Sequence, residues 1–279
     1  MTELSFLFGS DNRLCGIMTL PARPTPASMA CILMNAGVIH RIGPHRLNVK
    51  IARALARNGM TSLRMDLSGL GDSGAARGGA NFREQAVSDL REGMDLIEKE
   101  TGIDRFVVIG ICSAAVHAYF VSLADTRIAG LLMFDGFTFP TARTALTRRW
   151  KRFQRMSWGA AARHAWETLT DISSHPATVA EQPSSTNPSR QEFQSAMDAL
   201  VRRGAAVYVM YSGSLIEAHN YETQFRDAFR GASFLRTVRY DFCPAIDHTV
   251  TPLAAQSDFI ERILHWVADV SQTSVHSAA

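Results

Sequence analysis

The chain is predicted to adopt an α/β fold, with a mostly parallel central sheet and helices on both faces. Two features of the sequence predict it. Short apolar runs such as "ACILMNAG", "FVVIG" and "AVYVMY" alternate with longer segments such as "HRLNVKIARALARNG", in which apolar residues recur at helical spacing. Because parallel strands need a crossover connection, usually a helix, this alternation indicates a parallel sheet covered by helices.

The elements follow in a regular order. A turn at 10–12 separates "LSFLFG" from "RLCGIMTLP", which predicts an antiparallel hairpin. Later strands are predicted at "ACILMNAG", "TSLRMDLSG", "FVVIG", "IAGLLMFD", "AVYVMY" and "SFLRTVRYDF". Helices are predicted between and after them, at "HRLNVKIARALARNG", "FREQAVSDLREGMDLIEKETG", "AAVHAYFVSLADT", "RQEFQSAMDALVRRG", "YETQFRDAFRG" and "AAQSDFIERILHWVADV". The first of these helices is expected to stop at Gly59, since glycine is typical of a helix C-terminus.

One long gap interrupts the alternation. Between "LLMFD" and the helix "RQEFQSAMDALVRRG" lie about fifty residues, far more than an ordinary connection. We therefore predict a first part of the core at 1–136, a lid or cap insertion at 137–188, and a second part of the core at 189–270. The remaining residues, 271–279, are polar and lack apolar periodicity, which predicts a disordered tail.

Composition excludes several classes of function. The 279 residues carry a formal net charge of +3 and an isoelectric point near 8.8, too weakly basic to predict nucleic-acid binding. No stretch reaches the roughly 18 apolar residues that a membrane helix requires, so we expect no membrane span and a cytoplasmic protein. The cysteines lack metal-ligand spacing, so neither a metal site nor a disulfide framework is expected. No cofactor is implied, and the pattern leaves the oligomeric state open.

A strand that breaks at a cysteine is the clearest sign of chemistry. In "VVIGICSAAVHAYF" the strand breaks at Gly110, a helical segment follows, and Cys112 stands between them. A strained strand-to-helix turn with small neighbours pushes its central side chain into the open and is called a nucleophile elbow. The helix N-terminus also favours a thiolate. Cys112 is therefore the predicted nucleophile. The alternatives are a buried structural cysteine and, in a frame shifted by one residue, Ser113 as nucleophile.

The nucleophile needs a base and an acid that orients the base. In folds with this elbow the catalytic histidine comes last in the chain, and His248 in "CPAIDHTVTP" lies between the last predicted strand and the last helix. The acid has two candidates, Asp135 at the end of "LLMFD" and Glu217 in the loop after "AVYVMY". We favour Asp135, because a short carboxylate fixed at a strand end holds an imidazole better than one in a loop.

Two backbone N–H groups are expected to bind the oxyanion that forms during acyl transfer. One comes from the residue after the nucleophile and the other from the loop after the third strand. The sequence places them at Ser113 and at Val38 in "MNAGVIH". Because backbone groups need no particular side chain, residue identity adds little to this prediction.

Several motifs occur in order along nearly the whole chain: "NAGVIHRIGPHR", "LRMDLSGLGDSG", "GICSAA", "DGFTFPTAR" and "DHTVTP". On these motifs the chain resembles the α/β-hydrolases, and more narrowly the exosortase A system-associated hydrolase group. Dienelactone hydrolases and polyhydroxyalkanoate synthases are similar in placing a cysteine in the elbow, which implies that a cysteine can be catalytic here. Two positions depart from the pattern: Ala114 replaces the second elbow glycine, and no aspartate follows "AVYVMY".

A cysteine nucleophile favours thioester chemistry. An S-acyl enzyme keeps the acyl group at the energy of a thioester, so exchange from another thioester is nearly balanced and transfer to an amine or alcohol is downhill. We therefore predict an enzyme that acts on acyl thioesters through an S-acyl enzyme, as a thioesterase or acyltransferase. The alternatives are a serine-type or cysteine-type ester or lactone hydrolase, and a non-catalytic relative that only binds a ligand or partner.

The predicted insertion begins with a basic segment, "TARTALTRRWKRFQR", which contains no acidic residue. Its cations are Arg143, Arg148, Arg149, Lys151, Arg152 and Arg155. One interpretation is a solvated helix face, because charge runs usually are solvated. The other is a dock for the phosphates of coenzyme A or for an acidic acyl carrier protein, with Arg148, Arg149 and Arg152 as the carrier-binding residues.

Overall fold

The computed structural model describes residues 1–24, 29–76, 78–155 and 187–276. Its strands are β1 (Thr2–Phe8), β2 (Leu14–Leu20), β3 (Met29–Leu33), β4 (Thr61–Met65), β5 (Arg105–Ile111), β6 (Ile128–Phe134), β7 (Ala206–Ser212) and β8 (Arg239–Cys243). In this part of the chain they form one eight-stranded sheet in the order β1-β2-β4-β3-β5-β6-β7-β8. β1 and β2 form the predicted hairpin, β2 also pairs antiparallel with β4, and the other neighbours are parallel. The predicted sheet is confirmed.

Helices connect the parallel strands. They are α1 (Leu47–Arg57), α2 (Phe82–Thr101), α3 (Ser113–Ala124), α4 (Ala142–Arg155), α5 (Arg190–Arg202), α6 (Gln224–Ala228) and α7 (Leu253–His276). α2 and α5 each begin with a capping box, Asn81 with Glu84 and Ser189 with Glu192, in which two side chains satisfy amides that the first turn leaves free. These local signals fix where both helices start.

Two apolar layers hold the helices against the two faces of the sheet. Successive residues of a strand point to opposite faces, so Val108 of β5 belongs to the layer under α2, α3 and α5, whereas Val107 belongs to the layer under α1 and α7. Leu90 of α2 and Phe259 of α7 are fully buried in these layers. Burial of each such side chain contributes about 1.5–3 kcal/mol. The predicted coverage of both faces is confirmed.

One predicted strand is shorter than its apolar pattern suggests. "SFLRTVRYDF" predicted a strand throughout, but Ser233–Arg236 form a 3-10 helix and β8 begins at Arg239. Asp198 of α5 explains the difference, because its carboxylate accepts hydrogen bonds from the Ser233 hydroxyl (2.6 Å) and the Phe234 amide (2.9 Å). These bonds come from a distant part of the chain, so the periodicity of the segment cannot reveal them.

The prediction of a disordered tail at 271–279 is wrong for its first part. α7 continues to His276. Ser271 is buried, and its hydroxyl donates to the Val267 carbonyl (2.9 Å), while Val270 packs in the apolar layer under the helix. This packing extends the helix into a segment whose polar composition predicted otherwise. Residues 277–279 lie outside the described residues.

The predicted insertion at 137–188 contains α4, and its residues 156–186 lie outside the described residues. The first turn of α4 is attached to the loop after β7. The side-chain amide of Asn220 donates to the Thr144 carbonyl (3.1 Å), and the hydroxyls of Thr141 and Tyr221 are hydrogen-bonded at 2.6 Å. α4 therefore starts beside the carboxyl edge of the sheet. None of the described helices is long and apolar enough to cross a membrane.

Candidate active site

The carboxyl end of β5 forms the predicted elbow. β5 ends at Ile111 and α3 begins at Ser113, so Cys112 alone separates strand from helix. Its backbone has φ 60° and ψ −126°, a conformation that residues other than glycine rarely adopt and that concentrates at functional sites. The Cys112 amide donates to the Phe134 carbonyl (2.9 Å), which ties the turn to β6.

Small residues make this turn possible. A Cβ atom on Gly110 would lie 2.5 Å from the Ala114 carbonyl oxygen and 2.5 Å from the Cα atom of Ala115, so only glycine fits. Ala114, which departs from the usual elbow glycine, is buried in the first turn of α3. The segment therefore accommodates an alanine at this position, and the half-buried side chain of Cys112 stands at the bend.

Asp135, at the end of β6, is hydrogen-bonded to His248. The distance from His248 Nδ1 to Asp135 Oδ2 is 2.7 Å, and the Asp135 side chain is 0% exposed. Its other oxygen, Oδ1, accepts the amide of Ser212 at the end of β7 (2.7 Å). Because each oxygen has its own N–H donor, the carboxylate is held in one orientation, with an acceptor facing the imidazole.

The loop that carries His248 is fixed at two points. The His248 amide donates to the Ser214 hydroxyl (3.0 Å). The side chain of Asp247 accepts the amides of Thr249 and Thr251, each at 3.0 Å, an arrangement typical of aspartate in turns. Sequence reasoning missed these positioning residues. The polar residues after β7 and the Asp-His-Thr-x-Thr pattern were the signals that could have revealed them.

The interaction between Cys112 and His248 changes the pKa of both side chains. It lowers the pKa of Cys112 below the 9.0 of an ordinary thiol; burial opposes this shift, and the Ser113 amide adds to it. The hydrogen bonds of His248 with Asp135 and then with Cys112 raise its pKa from 6.5 to about 10. Since the thiol becomes a stronger acid and the imidazole a stronger base, the pair favours thiolate and imidazolium at neutral pH.

The other cysteines have the opposite character. Burial raises the pKa of Cys31 to about 12 and that of Cys243 to about 11, and it also raises the pKa of Cys15. All four cysteines are free thiols and lie in the described part of the chain. Because a protonated thiol is a poor nucleophile, Cys112 is the cysteine suited to react at neutral pH.

The loop after β3 brings the amide of Gly37 to the elbow. The Gly37 N–H donates to the Ser113 hydroxyl oxygen at 2.6 Å. The chain reverses here, in a turn closed by the Ile39 amide and the Ala36 carbonyl (3.0 Å), and the Val38 side chain is 85% exposed. The amide beside the Ser113 side chain is thus that of Gly37, one residue before the predicted Val38.

Asp66 holds the loop that carries Gly37. Its buried carboxylate accepts the backbone amide of Arg41 (2.7 Å) and the side-chain amide of Asn35 (2.7 Å), and it pairs with the Arg41 guanidinium. Loop 35–41 is thereby attached to the end of β4. Asp66 also accepts the amide of Asp72 (3.1 Å), so one carboxylate fixes both its own turn and the loop that faces the elbow.

One group of potential metal ligands occurs among the described residues. The ligand atoms of His40, Asp66 and Asp72 lie within 4.8 Å of one another. The guanidinium of Arg41 already compensates this group, since its Nη1 atom lies 2.8 Å from Asp72 and also pairs with Asp66. A guanidinium is a permanent cation suited to such carboxylates. We therefore interpret the group as an ion-pair network that fixes two loops.

Glu217, the alternative acid, lies apart from His248. Its side chain is 71% exposed, and it pairs with Nε of Arg148 at 3.3 Å. Asp135 occupies the Nδ1 atom of His248 that an orienting acid must bind. The geometry therefore assigns that position to Asp135, and Glu217 is corrected to a surface residue paired with α4.

The three predicted carrier-binding arginines lie on α4. Arg148 is half-buried and its charge is compensated by Glu217, a partner that the sequence of the basic segment does not contain. Arg149 is exposed. The side chain of Arg152 lies outside the described residues. Among the predicted carrier-binding arginines whose side chains the structure describes, Arg149 is thus the exposed one.

Comparisons with known proteins agree with this fold. The family model described as serine aminopeptidase, S33, matches residues 35–219. An α/β serine hydrolase without a lid from Xanthomonas campestris is 14% identical, with a TM-score of 0.56, over 96% of this chain and 94% of that chain. The proline iminopeptidase of Mycobacterium smegmatis is 16% identical, with a TM-score of 0.57, over 98% of this chain and 100% of that chain. An esterase from Pyrococcus furiosus is 12% identical, with a TM-score of 0.60, over 97% of this chain and 91% of that chain. No curated protein matches the chain.

Proposed function

Because the chain belongs to the α/β-hydrolase family described as serine aminopeptidase, S33, we propose that it is a hydrolase or acyltransferase with Cys112 as nucleophile. It acts on acyl thioesters through an S-acyl enzyme, with His248 as acid–base group and Asp135 as the residue that orients it. One observation carries the proposal: Cys112 stands at the strained bend between β5 and α3, and His248, which is held by Asp135 at 2.7 Å, lowers the pKa of its thiol.

The first half-reaction is attack of the Cys112 thiolate on the carbonyl carbon of the substrate. A new C–S bond forms, the carbonyl π electrons move to oxygen, and the Ser113 amide binds the resulting oxyanion. The intermediate then collapses as the bond to the leaving sulfur breaks, and the His248 imidazolium donates its proton to that sulfur. In the second half-reaction, water, an amine or an alcohol loses a proton to neutral His248 and attacks the S-acyl carbonyl. The second intermediate collapses as its C–S bond breaks, which releases the acyl product and restores the Cys112 thiolate beside the His248 imidazolium.

A thioester suits this nucleophile better than an oxygen ester. After attack on a thioester, the intermediate can expel either of two similar thiolates, so acylation is nearly balanced. After attack on an oxygen ester, Cys112 is a better leaving group than the alkoxide, so the intermediate mostly returns to substrate. Nucleophile and leaving group are therefore matched only in the thioester.

The motifs quoted above lead us to place the chain in the exosortase A system-associated hydrolase group. We also propose a cytoplasmic location. A reducing compartment keeps cysteines as thiols, which the mechanism requires of Cys112, and all four cysteines of the chain are free.

Acyl-enzyme trapping tests the proposed function. Intact mass spectrometry after mixing with a series of acyl thioesters is expected to show one acyl adduct per chain, located at Cys112 by peptide mapping. Neutral hydroxylamine should remove the adduct within minutes, because a thioester is far more electrophilic than an ester. An adduct on Ser113 that resists hydroxylamine would indicate a serine-type enzyme. The absence of any adduct or turnover with all thioesters would contradict the proposal.

An ester or lactone hydrolase is the second candidate. The similarity in fold to a protein described as an esterase supports it. The same acyl group presented as a thioester and as an oxygen ester of equal size separates the two functions. A higher kcat/KM for the thioester supports our proposal, and a higher kcat/KM for the oxygen ester supports the second candidate.

The arginines of α4 dock the carrier of the acyl group in this proposal. Coenzyme A presents phosphates, and acyl carrier proteins present acidic side chains, so either complements the basic segment. Arg149 is exposed and therefore accessible to such a partner. Glu217 competes with the carrier for Arg148, so the contribution of Arg148 depends on displacing that carboxylate.

Alanine substitution of Arg148, Arg149 and Arg152 together is expected to raise KM for coenzyme A or carrier-bound thioesters. The rise should be roughly three- to a hundredfold, since each exposed ion pair is worth about 0.2–1 kcal/mol. It should shrink as salt is added, because the charges are screened. Activity on a small neutral thioester should stay unchanged.

A matched control removes the same charge elsewhere. Arg57, Arg105 and Arg202 are exposed, and each lies at or before the start of a strand, at the opposite edge of the sheet. Alanine substitution of these three should leave both KM values unchanged. Equal losses on carrier-bound and small thioesters in the α4 variant would mean that the arginines support the fold of the insertion, and the docking proposal would be wrong.

A further inference from the structure

The Ser113 hydroxyl is bound to one of the two amides that face the elbow. Gly37 N–H donates to Ser113 Oγ at 2.6 Å. The amide of Ser113 follows Cys112 directly in the chain and helps to lower the pKa of its thiol. The Gly37 donor is therefore occupied by a hydroxyl before substrate binds, while the Ser113 amide stabilises the thiolate.

We propose that the hydroxyl of Ser113 is a side-chain oxyanion donor in the reaction of Cys112. This role rests on the proposed function. A hydroxyl has one hydrogen and two acceptor lone pairs, so accepting from Gly37 leaves its hydrogen free to rotate toward a substrate carbonyl oxygen. The Gly37 N–H polarises the hydroxyl, because hydrogen bonds in a chain strengthen one another.

The position of Ser113 fits this role. It is the first residue of α3, directly after the nucleophile, and its side chain is half-buried beside the bend. Its partner Gly37 is held in place, since Asp66 binds Asn35 and Arg41 on either side of it. The hydroxyl is therefore held in position by a loop that is itself fixed, and such a preorganised donor stabilises an oxyanion effectively.

The donors change partners during the first half-reaction. When the Cys112 sulfur forms its bond to the acyl carbon it loses its negative charge, and the Ser113 amide is released to the oxyanion. The Ser113 hydroxyl donates a hydrogen bond to the same oxygen and keeps its proton throughout. When the intermediate collapses, the electron pair returns to the carbonyl, the leaving sulfur takes the proton of His248, and both donors are free again.

A competing possibility is that the hydroxyl only occupies the Gly37 amide until substrate displaces it. The two roles predict opposite results. A donor lowers the barrier to acylation, so removing it slows the reaction. A group that must be displaced hinders acylation, so removing it leaves the rate unchanged or raises it.

The test compares Ser113→Ala with the wild type on a small neutral thioester by single-turnover acylation and on iodoacetamide by alkylation of Cys112. Acylation develops an oxyanion and alkylation does not. Ser113→Ala is expected to slow acylation roughly ten- to a hundredfold, within the range for loss of one oxyanion donor, and to change alkylation less than twofold. Ser113→Thr, which retains a hydroxyl, should restore most of the acylation rate.

Ser122→Ala is the matched control, because Ser122 lies on the same helix and its hydroxyl bonds only within it, to the Ala118 carbonyl (2.7 Å). It should leave the ratio of the two rates unchanged. The proposal is overturned if Ser113→Ala acylates as fast as the wild type, if it slows acylation and alkylation equally, or if threonine fails to restore acylation. Failure of the wild type to form an S-acyl enzyme would instead refute the proposed function itself, and this role with it.

Discussion

Cys112→Ala is expected to abolish acyl-enzyme formation and to lower thioester turnover at least on the order of ten thousandfold, the scale for loss of a nucleophile. Alanine keeps the elbow backbone, but it removes the sulfur atom that forms the C–S bond in the proposed reaction. Because Cys112 is half-buried and is surrounded by small residues of the turn, its truncation should change the free energy of unfolding by less than about 1 kcal/mol. Intact mass spectrometry and thermal unfolding measure the two quantities.

Cys15→Ala is the control for this variant. Cys15 is also half-buried and free, but burial raises its pKa, so it should contribute nothing to turnover. An acyl adduct that persists in Cys112→Ala at the wild-type rate would contradict the assignment of the nucleophile.

Cys112→Ser tests whether a hydroxyl at the same position of the elbow can replace the thiol as nucleophile. The hydroxyl occupies the position of the thiol, but it ionises far less readily and needs His248 as a true general base. We expect residual turnover well below that of the wild type, with the ratio of oxygen-ester to thioester activity raised. That shift is expected because an alkoxide is a poorer leaving group than a thiolate, so the intermediate no longer returns preferentially to substrate.

Much of the fold was predictable because its signals are local. Apolar periodicity revealed the strands and helices, and the small residues around Cys112 revealed the elbow. The predictions failed where residues that are distant in the sequence determine the local secondary structure. Asp198 converts the start of the last predicted strand into a 3-10 helix, and burial of Ser271 extends α7 beyond its apolar stripe.

The parts of the candidate site that lie directly after a strand, such as Cys112 and Asp135, could be predicted from the sequence. β6 lies between β5 and β7 in the sheet, so Asp135 at its end can reach the space above the elbow, and the lack of an aspartate after β7 does not remove the acid. The inward amide of Gly37 was not predictable, because it depends on how the turn at 36–39 reverses. The pairing of Glu217 with Arg148 joins the loop after β7 to α4, far apart in the sequence, and has no local signal.

Asp135→Asn is expected to lower kcat/KM roughly a hundredfold or more, the scale for loss of a positioned acid–base group. The carboxylate accepts two N–H donors, the Ser212 amide and His248 Nδ1. An asparagine has one acceptor oxygen and one NH₂ group. If its oxygen faces Ser212, its NH₂ group forces the His248 proton onto Nε2, which then cannot accept the proton of Cys112. If it is reversed, two donors face each other in a buried site.

The same variant should shift the pH profile of Cys112 alkylation to higher pH. Two effects oppose each other. Loss of the negative charge of Asp135 lowers the pKa of Cys112, but that charge is the smallest of its causes, whereas the hydrogen bond from His248 is the largest. Without Asp135, the pKa of His248 falls, since that hydrogen bond is the main cause of its rise. A neutral imidazole stabilises the thiolate less, so the midpoint moves up toward that of an ordinary thiol.

Glu217→Gln makes the same chemical change on a carboxylate that is exposed and bound to Arg148. It should leave turnover within about twofold and the alkylation midpoint unmoved, because surface ion pairs contribute little. The comparison is made at temperatures where both variants are fully folded, so a loss of stability in Asp135→Asn does not imitate a loss of catalysis. If Glu217→Gln loses activity and Asp135→Asn does not, the acid of the site is Glu217, and the hydrogen bond between Asp135 and His248 has only a structural role.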